Sequence, residues 1–407
     1  MEAALSTERT ALKATGGVMD GSVAVGVKPS TPRRPATGNP ADVRPERLRS
    51  ADPDVFGVPT GREEEWRFTP LARVRALLDG APSEAHLEVT SELPEGVELV
   101  TVATADLDVP LPVDRLAALA LQRSGSALVI RVPKALEVDA PVVVRLTGTG
   151  TGEVVWGHVV VELAEQSRAT VVLEHLGSAH YAAVVSVLVG DGASLQLVQV
   201  QDWAGDTIHA AHVANRLGRD ATLLSTQVTL GGNLVRVSET VEFTAPGGDV
   251  ELRGVSFADG GQHLEHRLLV DHSVPHCRSR VSYKSALQGE QAHTVWIGDV
   301  LIRAAAEGTD TYELNRNLLL TPEARADSVP NLEIETGEIA GAGHASATGR
   351  FDDEQLFYLQ ARGIPADVAR RMVVRGFFAE VVESIGVPAL QERIMATIDS
   401  ELQRAFL

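Results

Sequence analysis

Cysteine is almost absent from the sequence, because Cys277 is the only one among 407 residues. No intramolecular disulfide can form, and neither a Cys-x-x-Cys nor a His-Glu-x-x-His pattern is present to indicate a zinc site. The chain also lacks a run of about eighteen apolar residues and a basic N-terminal segment followed by an apolar one. We therefore predict neither a membrane span nor a signal peptide, and expect a cytoplasmic protein in a reducing compartment.

Positive charge is scarce as well, since the net charge of the chain is −19. Binding to nucleic acid needs concentrated lysine and arginine, so this balance argues against a nucleic-acid partner. Motifs of common enzyme classes are missing too: the sequence has neither a Gly-Lys-Ser or Gly-Lys-Thr phosphate-binding loop nor a Gly-x-Ser-x-Gly nucleophile elbow. The sequence therefore predicts no catalytic centre.

The overall composition is that of a globular protein, with 44% hydrophobic and 22% charged residues. The length favours two or three domains. Residues 1–40 are rich in glycine, alanine, threonine and proline, and we predict that they form a disordered leader. Residues 41–125 are predicted to be a partly helical N-terminal region. A short helix within that region would pack through Leu71, Val74, Ala76, Leu77 and Leu78.

Short apolar runs separated by Gly, Asp, Ser and Pro fill residues 126–350 and predict strands. One pattern, a polar or turn residue followed by two small residues and an apolar run, starts at Arg168, Gly192 and Asp220, with a related segment at Gly248. Strands that repeat in this way predict a solenoid whose coils pack on one another, and a parallel β-helix fits. A β-sandwich is the competing interpretation. The lack of crossover helices argues against a doubly wound α/β sheet.

Residues 351–407 are predicted to be a helical domain. A first helix would start at Asp352, with Gln355 as the returning partner of a capping box, and would end at Gly363. Pro365 fits the first turn of a second helix. The apolar stripe of that helix would consist of Val368, Met372, Val373, Phe377, Val381, Val382 and Ile385. A third helix would carry, at four-residue spacing on one face, Leu390, Ile394, Ile398 and Leu402.

A small-residue run that contains His344 leads directly into these helices. The segments that follow it are Asp352–Gln355, Phe357–Leu359, Arg362–Ile364 and Phe378–Val381. This order resembles the C-terminal signature of the SufB/SufD family of iron–sulfur cluster assembly scaffolds, although the last segment lacks a spacer residue unless it starts at Phe377. Further matches just upstream are Asn317–Leu320 and Pro330–Ile334. The resemblance runs in order from about residue 60 to about residue 385.

The resemblance implies a mainly β fold, a right-handed parallel β-helix flanked by a partly helical N-terminal region and a C-terminal helical domain. It implies a non-catalytic scaffold subunit of a SufBCD-type complex, which pairs with a SufB-like paralogue and binds a SufC-like ABC ATPase that hydrolyses the ATP. The single cysteine favours the SufD side of the family, because SufB-like chains are expected to supply thiolates. A homodimer of the isolated chain is left open.

His344 is the one candidate metal ligand. Where the family typically reads Cys-Ser-His-Gly-Ala-Thr, this chain has Ala342 in the cysteine position and keeps the histidine. A neutral imidazole binds iron, whereas alanine has no donor atom. The resemblance implies that His344 is one ligand of a transient iron–sulfur cluster at a shared interface, completed by a partner's thiolate, since one histidine cannot hold a cluster. A capping or packing histidine near a β-to-helix corner is the alternative.

The C-terminal helices have two interpretations. Their apolar stripes could cover the end of the solenoid, or part of their surface could dock a protein partner. The resemblance favours docking of the ATPase, and the residues that we assign to this role are Tyr358, Arg362, Met372, Arg375, Phe377 and Phe378.

The remaining histidines and Cys277 offer weaker patterns. His272 and His276 precede Cys277, but no set of four ligands accompanies them, so we interpret Cys277 as a lone, partly buried thiol. His263 and His266 should point to opposite faces of a strand, and His266 and His272 to one face. We interpret these as exposed histidines of solenoid coils. His209 and His212 give a still weaker indication of a functional site.

Two rival functions remain at this stage. The first is a β-helix protein that binds or cleaves polysaccharides, although the 4% aromatic content and the missing export signal argue against it. The second is a structural β-solenoid adaptor in which His344 is inert.

Overall fold

Strands dominate the computed structural model, which describes residues 47–351 and 353–404. The predicted leader and the predicted helix cap Asp352 lie outside the described residues. The strands are β1 Glu88–Glu92, β2 Glu98–Ala103, β3 Ser126–Val132, β4 Val142–Leu163, β5 Arg168–Val189, β6 Ser194–Trp203, β7 Ile208–Leu217, β8 Thr222–Thr229, β9 Leu234–Phe243, β10 Asp249–Ala258, β11 His263–His272, β12 Arg278–Leu287, β13 His293–Ile302, β14 Asp310–Leu319, β15 Arg325–Ile334 and β16 Gly341–Arg350.

Two helices lie near the start of the chain, one before β1 and one between β2 and β3, and three follow β16. They are α1 Leu71–Leu78, α2 Arg115–Ser124, α3 Asp353–Ala361, α4 Ala366–Glu383 and α5 Pro388–Arg404. The carboxylate of Asp114 caps α2 by accepting the N–H of Ala117. Gly363 follows α3 with a φ of +85°, a left-handed conformation that glycine adopts without strain. None of the helices in residues 47–351 and 353–404 is long and apolar enough to span a bilayer.

The strands from β3 onward form parallel ladders that wind into two sheets. One sheet continues from β5 through β7, β9, β11 and β13 to β15, and the other from β5 through β6, β8, β10, β12 and β14 to β16. β5 belongs to both because its first half pairs with β6 and its second half with β7. The result is a parallel β-solenoid of about eight turns. The predicted mainly β solenoid is confirmed, and the β-sandwich is wrong because sandwich strands pair antiparallel.

The repeat that is visible in the sequence corresponds to the stacking of coils. Arg168, Ser194, Thr222 and Asp249 are register partners in β5, β6, β8 and β10. One residue further on, the inward-pointing side chains of Ala169, Leu195, Leu223 and Val250 lie above one another in the core. Small and aliphatic residues repeat at these positions because each side chain packs against its equivalents in the coils before and after it.

The helices cover the two outer faces of the solenoid. On one face, α1, α2 and Trp66 bury an apolar surface that includes Trp156, Val184 and Leu234. On the other face, α4 and α5 bury a surface that includes Val198, Val228 and Phe257. The interpretation in which the C-terminal stripes cover the end of the solenoid is therefore wrong, because these helices lie along its flank.

Candidate functional site

The solenoid ends in two edge strands, β15 and β16. Within the described chain, β15 pairs only with β13, and β16 pairs only with β14. Gly341 and Phe351 donate their amide N–H groups to the carbonyl oxygens of Thr309 and Leu319, at the two ends of β14. Because consecutive amides of a strand point in opposite directions, the N–H groups of the even-numbered residues of β16 face the free edge.

His344 lies in β16 at this open end, and its side chain is exposed. Its register partner in β14 is Glu313. Side chains of paired residues point to the same face of a sheet, so the imidazole lies on the inner side of the last coil, above the carboxyl of Glu313. Ala342, in the position of the family cysteine, pairs with Thr311 on the same face. The predicted ligand is therefore at a surface that a second chain can reach.

Glu313 is buried directly beneath that position. Its exposed fraction is 1%, and neither carboxyl oxygen has a hydrogen-bond partner in the part of the chain that the structure describes. Burial, with a smaller contribution from the charge of Asp299, raises the pKa of Glu313 to about 8. The fold therefore holds a carboxyl group whose charged form it does not stabilise.

The space around this carboxyl group exists because residue 298 is glycine. A Cβ atom at Gly298 would lie 2.6 Å from Oε1 of Glu313 and 2.5 Å from Cη2 of Trp296, closer than non-bonded atoms approach. The carboxyl group thus reaches across the coil from β14 to β13. Nε1 of Trp296 is also buried and has no acceptor among the described residues.

A hydrogen-bond network beside Glu313 joins the last strands across the coil. Nδ2 of Asn317 lies 2.9 Å from Oδ1 of Asn315, 2.9 Å from Oγ of Ser328 and 3.0 Å from Oγ1 of Thr348. Ser328 in turn donates to Oδ1 of Asn315 over 2.7 Å. These contacts tie both β15 and β16 to β14. They hold β16 at Thr348, four residues beyond His344, even though this strand is at the edge.

The described residues provide only part of a metal centre. Within residues 47–351 and 353–404, no three His, Cys, Asp or Glu side chains converge closely enough to hold a metal ion. The imidazole of His344 suits iron, but further donor atoms have to come from elsewhere. The geometry therefore fits a ligand set that is shared with a second chain.

Comparison with known proteins bears on the same region. The family described as "SUF system FeS cluster assembly, SufBD core domain" matches residues 145–377, which contain most of the solenoid and His344. An iron–sulfur cluster assembly SufBD family protein of Mycobacterium bovis is 53% identical over 368 residues, covering 88% of this chain and 93% of the relative. The chain belongs to the SufB/SufD family.

More distant relatives carry a more specific name. The iron–sulfur cluster assembly protein SufD of Escherichia coli is 29% identical over 246 residues, which are 59% of this chain and 57% of the relative. SufD of Bacillus subtilis is 23% identical over 339 residues, which are 78% of this chain and 77% of the relative. SufBD proteins are components of iron–sulfur cluster assembly. This membership disfavours the polysaccharide interpretation.

Cys277 is more deeply buried in this SufBD chain than we predicted. The thiol is 1% exposed, and its sulfur lies 3.8 Å from the carbonyl oxygen of Ala245 and 3.6 Å from that of Pro275. Burial raises the pKa of the Cys277 thiol, which disfavours the reactive thiolate. The fold therefore gives this cysteine a packing role.

The interpretation of the coil histidines as exposed is wrong. His263, His266 and His272 are all buried. His263 points outward, where its Nε2 lies 3.1 Å from Glu265, whereas His266 points inward to Oγ1 of Thr229 at 3.1 Å. His272 also points inward and stacks on Phe243. Their predicted directions are thus confirmed. They are buried because the N-terminal helices and the neighbouring coils cover both faces of the sheet.

The residues assigned to docking fall into two groups. Tyr358 and Met372 are 56% and 49% exposed, Arg362 stacks on the ring of Tyr358 at 4.9 Å, and Arg375 forms an ion pair with Asp399 of α5. Phe377 is half-buried, and Lys284 lies 5.8 Å from its ring. Phe378 differs from expectation: it is 0% exposed and packs in the core between α4 and the sheet. Its side chain is therefore not available to a partner.

Sequence reasoning missed Glu313. The signal was an alternation in one strand, where the residues that point into the coil are Thr311, Glu313, Asn315 and Asn317. Inward positions of earlier coils in the same rows hold apolar residues such as Leu252 and Val281. A period-two count along β14 would have placed this polar row inside the solenoid.

Proposed function

We propose that this SufBD chain is a non-catalytic, SufD-like scaffold subunit of a SufBCD-type complex that assembles iron–sulfur clusters. The observation that carries the proposal is the exposed His344 on β16, the last strand of the solenoid. The buried Cys277 supports the SufD side, because a chain that supplies thiolates needs an accessible sulfur. The names of two relatives agree with it. A reducing cytoplasm is the setting that we propose, since the thiolates that a partner would supply stay reduced there.

The SufB-like paralogue would pair with this chain at the edges of β15 and β16. Edge strands present unpaired N–H and C=O groups that a strand of another chain can bind. Pairing there would bring a partner's thiolate to His344 and complete the ligands of a transient cluster, the product that the complex then passes on. Two copies of this chain could use the same edges when no paralogue is present.

The SufC-like ATPase would dock on the exposed side of α3 and α4. Tyr358, Arg362 and Met372 present aromatic, cationic and thioether groups there, types that are common at protein interfaces. The opposite side of α4 packs on the sheet through Phe378. A movement of the ATPase would therefore be passed through α4 to the strands that lead to the open end.

Co-purification with SufB-like and SufC-like homologues tests the pairing. Ser346→Pro removes one N–H group from the free edge of β16, and we expect it to release the paralogue while the ATPase stays bound. Ser346→Thr keeps that N–H group and serves as the matched control. If the proline variant is folded by circular dichroism and still retains the paralogue, the edge is not the interface.

A second pair of variants tests the docking surface. Met372→Glu places a charge on the exposed side of α4, and we expect it to release the ATPase but not the paralogue. Leu111→Glu is the control, because Leu111 is similarly exposed but lies in the N-terminal region. Removing the helices entirely would instead expose the apolar face that they cover, so substitutions are the cleaner test. Retention of the ATPase by Met372→Glu would exclude this surface.

A further inference from the structure

The buried carboxyl group of Glu313 needs an explanation that the described fold does not supply. Native proteins pair almost all buried polar groups, and an unpaired carboxyl group is among the costliest to bury. Asn315, Asn317, Ser328 and Thr348 satisfy one another instead of Glu313. On the opposite strand the ladder continues from Gly298 to Pro330, which has no backbone N–H to donate. The carboxyl group is thus left with free acceptor oxygens.

The position of Glu313 relates it to His344. The two residues are register partners in β14 and β16, and neighbouring strands lie about 4.8 Å apart. Both side chains point into the last coil, one buried and the other at its mouth. An ion on the inner side of the imidazole is therefore within reach of the carboxyl group.

The two donor groups match one class of ligand. Ferrous iron accepts both imidazole nitrogen and carboxylate oxygen as ligands. A site built from these two groups needs no thiolate, which Ala342 cannot supply. We propose that Glu313 and His344 form a two-ligand half-site that holds a ferrous ion at the open end of the solenoid. The inference deepens the proposed function and rests on it for the remaining ligands, which the paired chain would supply.

Trp296 offers a local probe of this half-site. Its indole and the Glu313 carboxyl group border the same space above Gly298, so a paramagnetic ion held there should quench its fluorescence. We would titrate the full-length chain anaerobically with Fe²⁺ into the millimolar range, and measure tryptophan fluorescence together with bound iron. The wild-type chain should show saturable quenching with a single bound ion. Trp296→Phe should bind the same amount of iron with that quenching removed.

Substitutions of the two ligands sharpen the test. Glu313→Gln preserves the size of the side chain, and we expect it to weaken iron binding by at least about tenfold, the loss that even outer-shell partners of a metal cause. His344→Ala should do the same, and the double variant, which keeps neither donor group, should show no saturable binding. Glu323→Gln, which changes an exposed carboxylate in the turn after β14, is the matched control and should bind like wild type.

The outcomes separate this inference from the proposed function. The half-site is overturned if Glu313→Gln binds iron as tightly as the wild-type chain. It is also overturned if the wild-type chain shows no saturable quenching. Co-purification of Glu313→Gln with the SufB-like and SufC-like partners is measured in parallel. If Glu313→Gln forms the complex and also binds iron as the wild-type chain does, only the half-site is refuted. Failure of the wild-type chain to form any complex refutes the proposed function, whereas the titration of the isolated chain still decides the half-site.

Discussion

Arg236 shows how a single charged residue joins separate parts of this fold. Its side chain is 2% exposed and donates to Oδ2 of Asp114 over 2.7 Å, with Oε1 of Glu265 at 3.4 Å. The guanidinium group also lies 4.1 Å from the ring centre of Trp66. Asp114 caps α2, so one cation connects the N-terminal region to β9 and β11. Burial alone would raise the pKa of Glu265, but His263 and Arg236 outweigh it and lower that pKa to about 2.

We expect Arg236→Met to destabilise the protein by about 3–5 kcal/mol, because removing one partner leaves buried charges uncompensated. Urea unfolding of the purified chain measures the loss. The matched control is Arg47→Met, since Arg47 pairs with Asp299 at 2.7 Å while half exposed, and we expect a loss of about 0–1 kcal/mol there. Equal losses in the two variants would contradict the role of burial.

At the level of elements, α4 and α5 show how well the apolar pattern of a helix predicts which of its faces is buried. The four-residue spacing of α5 correctly placed Leu390, Ile394, Ile398 and Leu402 on a buried face. In α4, the predicted stripe included Met372, which is exposed, and left out Val374, which is buried. Apolar residues occupy more than one side of α4, so the 3.6-residue period permits several stripes. Only the sheet that α4 covers selects among them.

The division of α4 and α3 into packed and exposed sides leads to a prediction. Phe378→Ala should cost about 3–5 kcal/mol, as expected when a buried phenylalanine is truncated. Phe357→Ala should change stability by no more than about 0.5 kcal/mol, because Phe357 is largely exposed. Thermal or urea unfolding compares the two. A large loss in Phe357→Ala would show that α3 is held in place by this ring.

On the scale of the whole molecule, the solenoid was predictable but its open end was not. The repeat starting at Arg168 revealed one sheet, because equivalent side chains stack in every coil. The resemblance singled out His344, yet nothing local in the sequence states that β16 is the last strand or that Glu313 lies beneath it. Those facts depend on how many coils the chain forms and on which faces the helices cover. Both are properties of the assembled fold.

The buried histidines make a prediction about the molecule as a whole. Burial lowers the pKa of His158, His175, His212, His266 and His272 from 6.5 to about 4. In the unfolded chain these residues take up protons below pH 6.5, whereas the folded chain keeps them neutral, so stability falls as the pH drops from 6.5 towards 4. For one histidine the full difference corresponds to about 3 kcal/mol.

Buried carboxyl groups oppose this trend at higher pH. Burial raises the pKa of Glu239, and raises that of Glu313 to about 8. These groups must give up a proton on unfolding above pH 4.5, and for Glu313 the resulting loss of stability continues as the pH rises towards 8. The histidines outnumber them below pH 6.5, and only the carboxyl groups act above it. We therefore expect the free energy of unfolding to be greatest near pH 6.5, as measured by urea unfolding at a series of pH values.

Single substitutions distinguish the two limbs of this pH profile. His212→Gln should reduce the slope on the acid side, and Glu313→Gln should reduce it on the alkaline side. His86 is exposed, so His86→Gln should leave both slopes unchanged. A profile that rises steadily from pH 5 to pH 8 would mean that the carboxyl groups keep their ordinary pKa values in the fold. The interior of the solenoid would then be hydrated, because only water could stabilise a charged Glu313 that has no partner in the described chain.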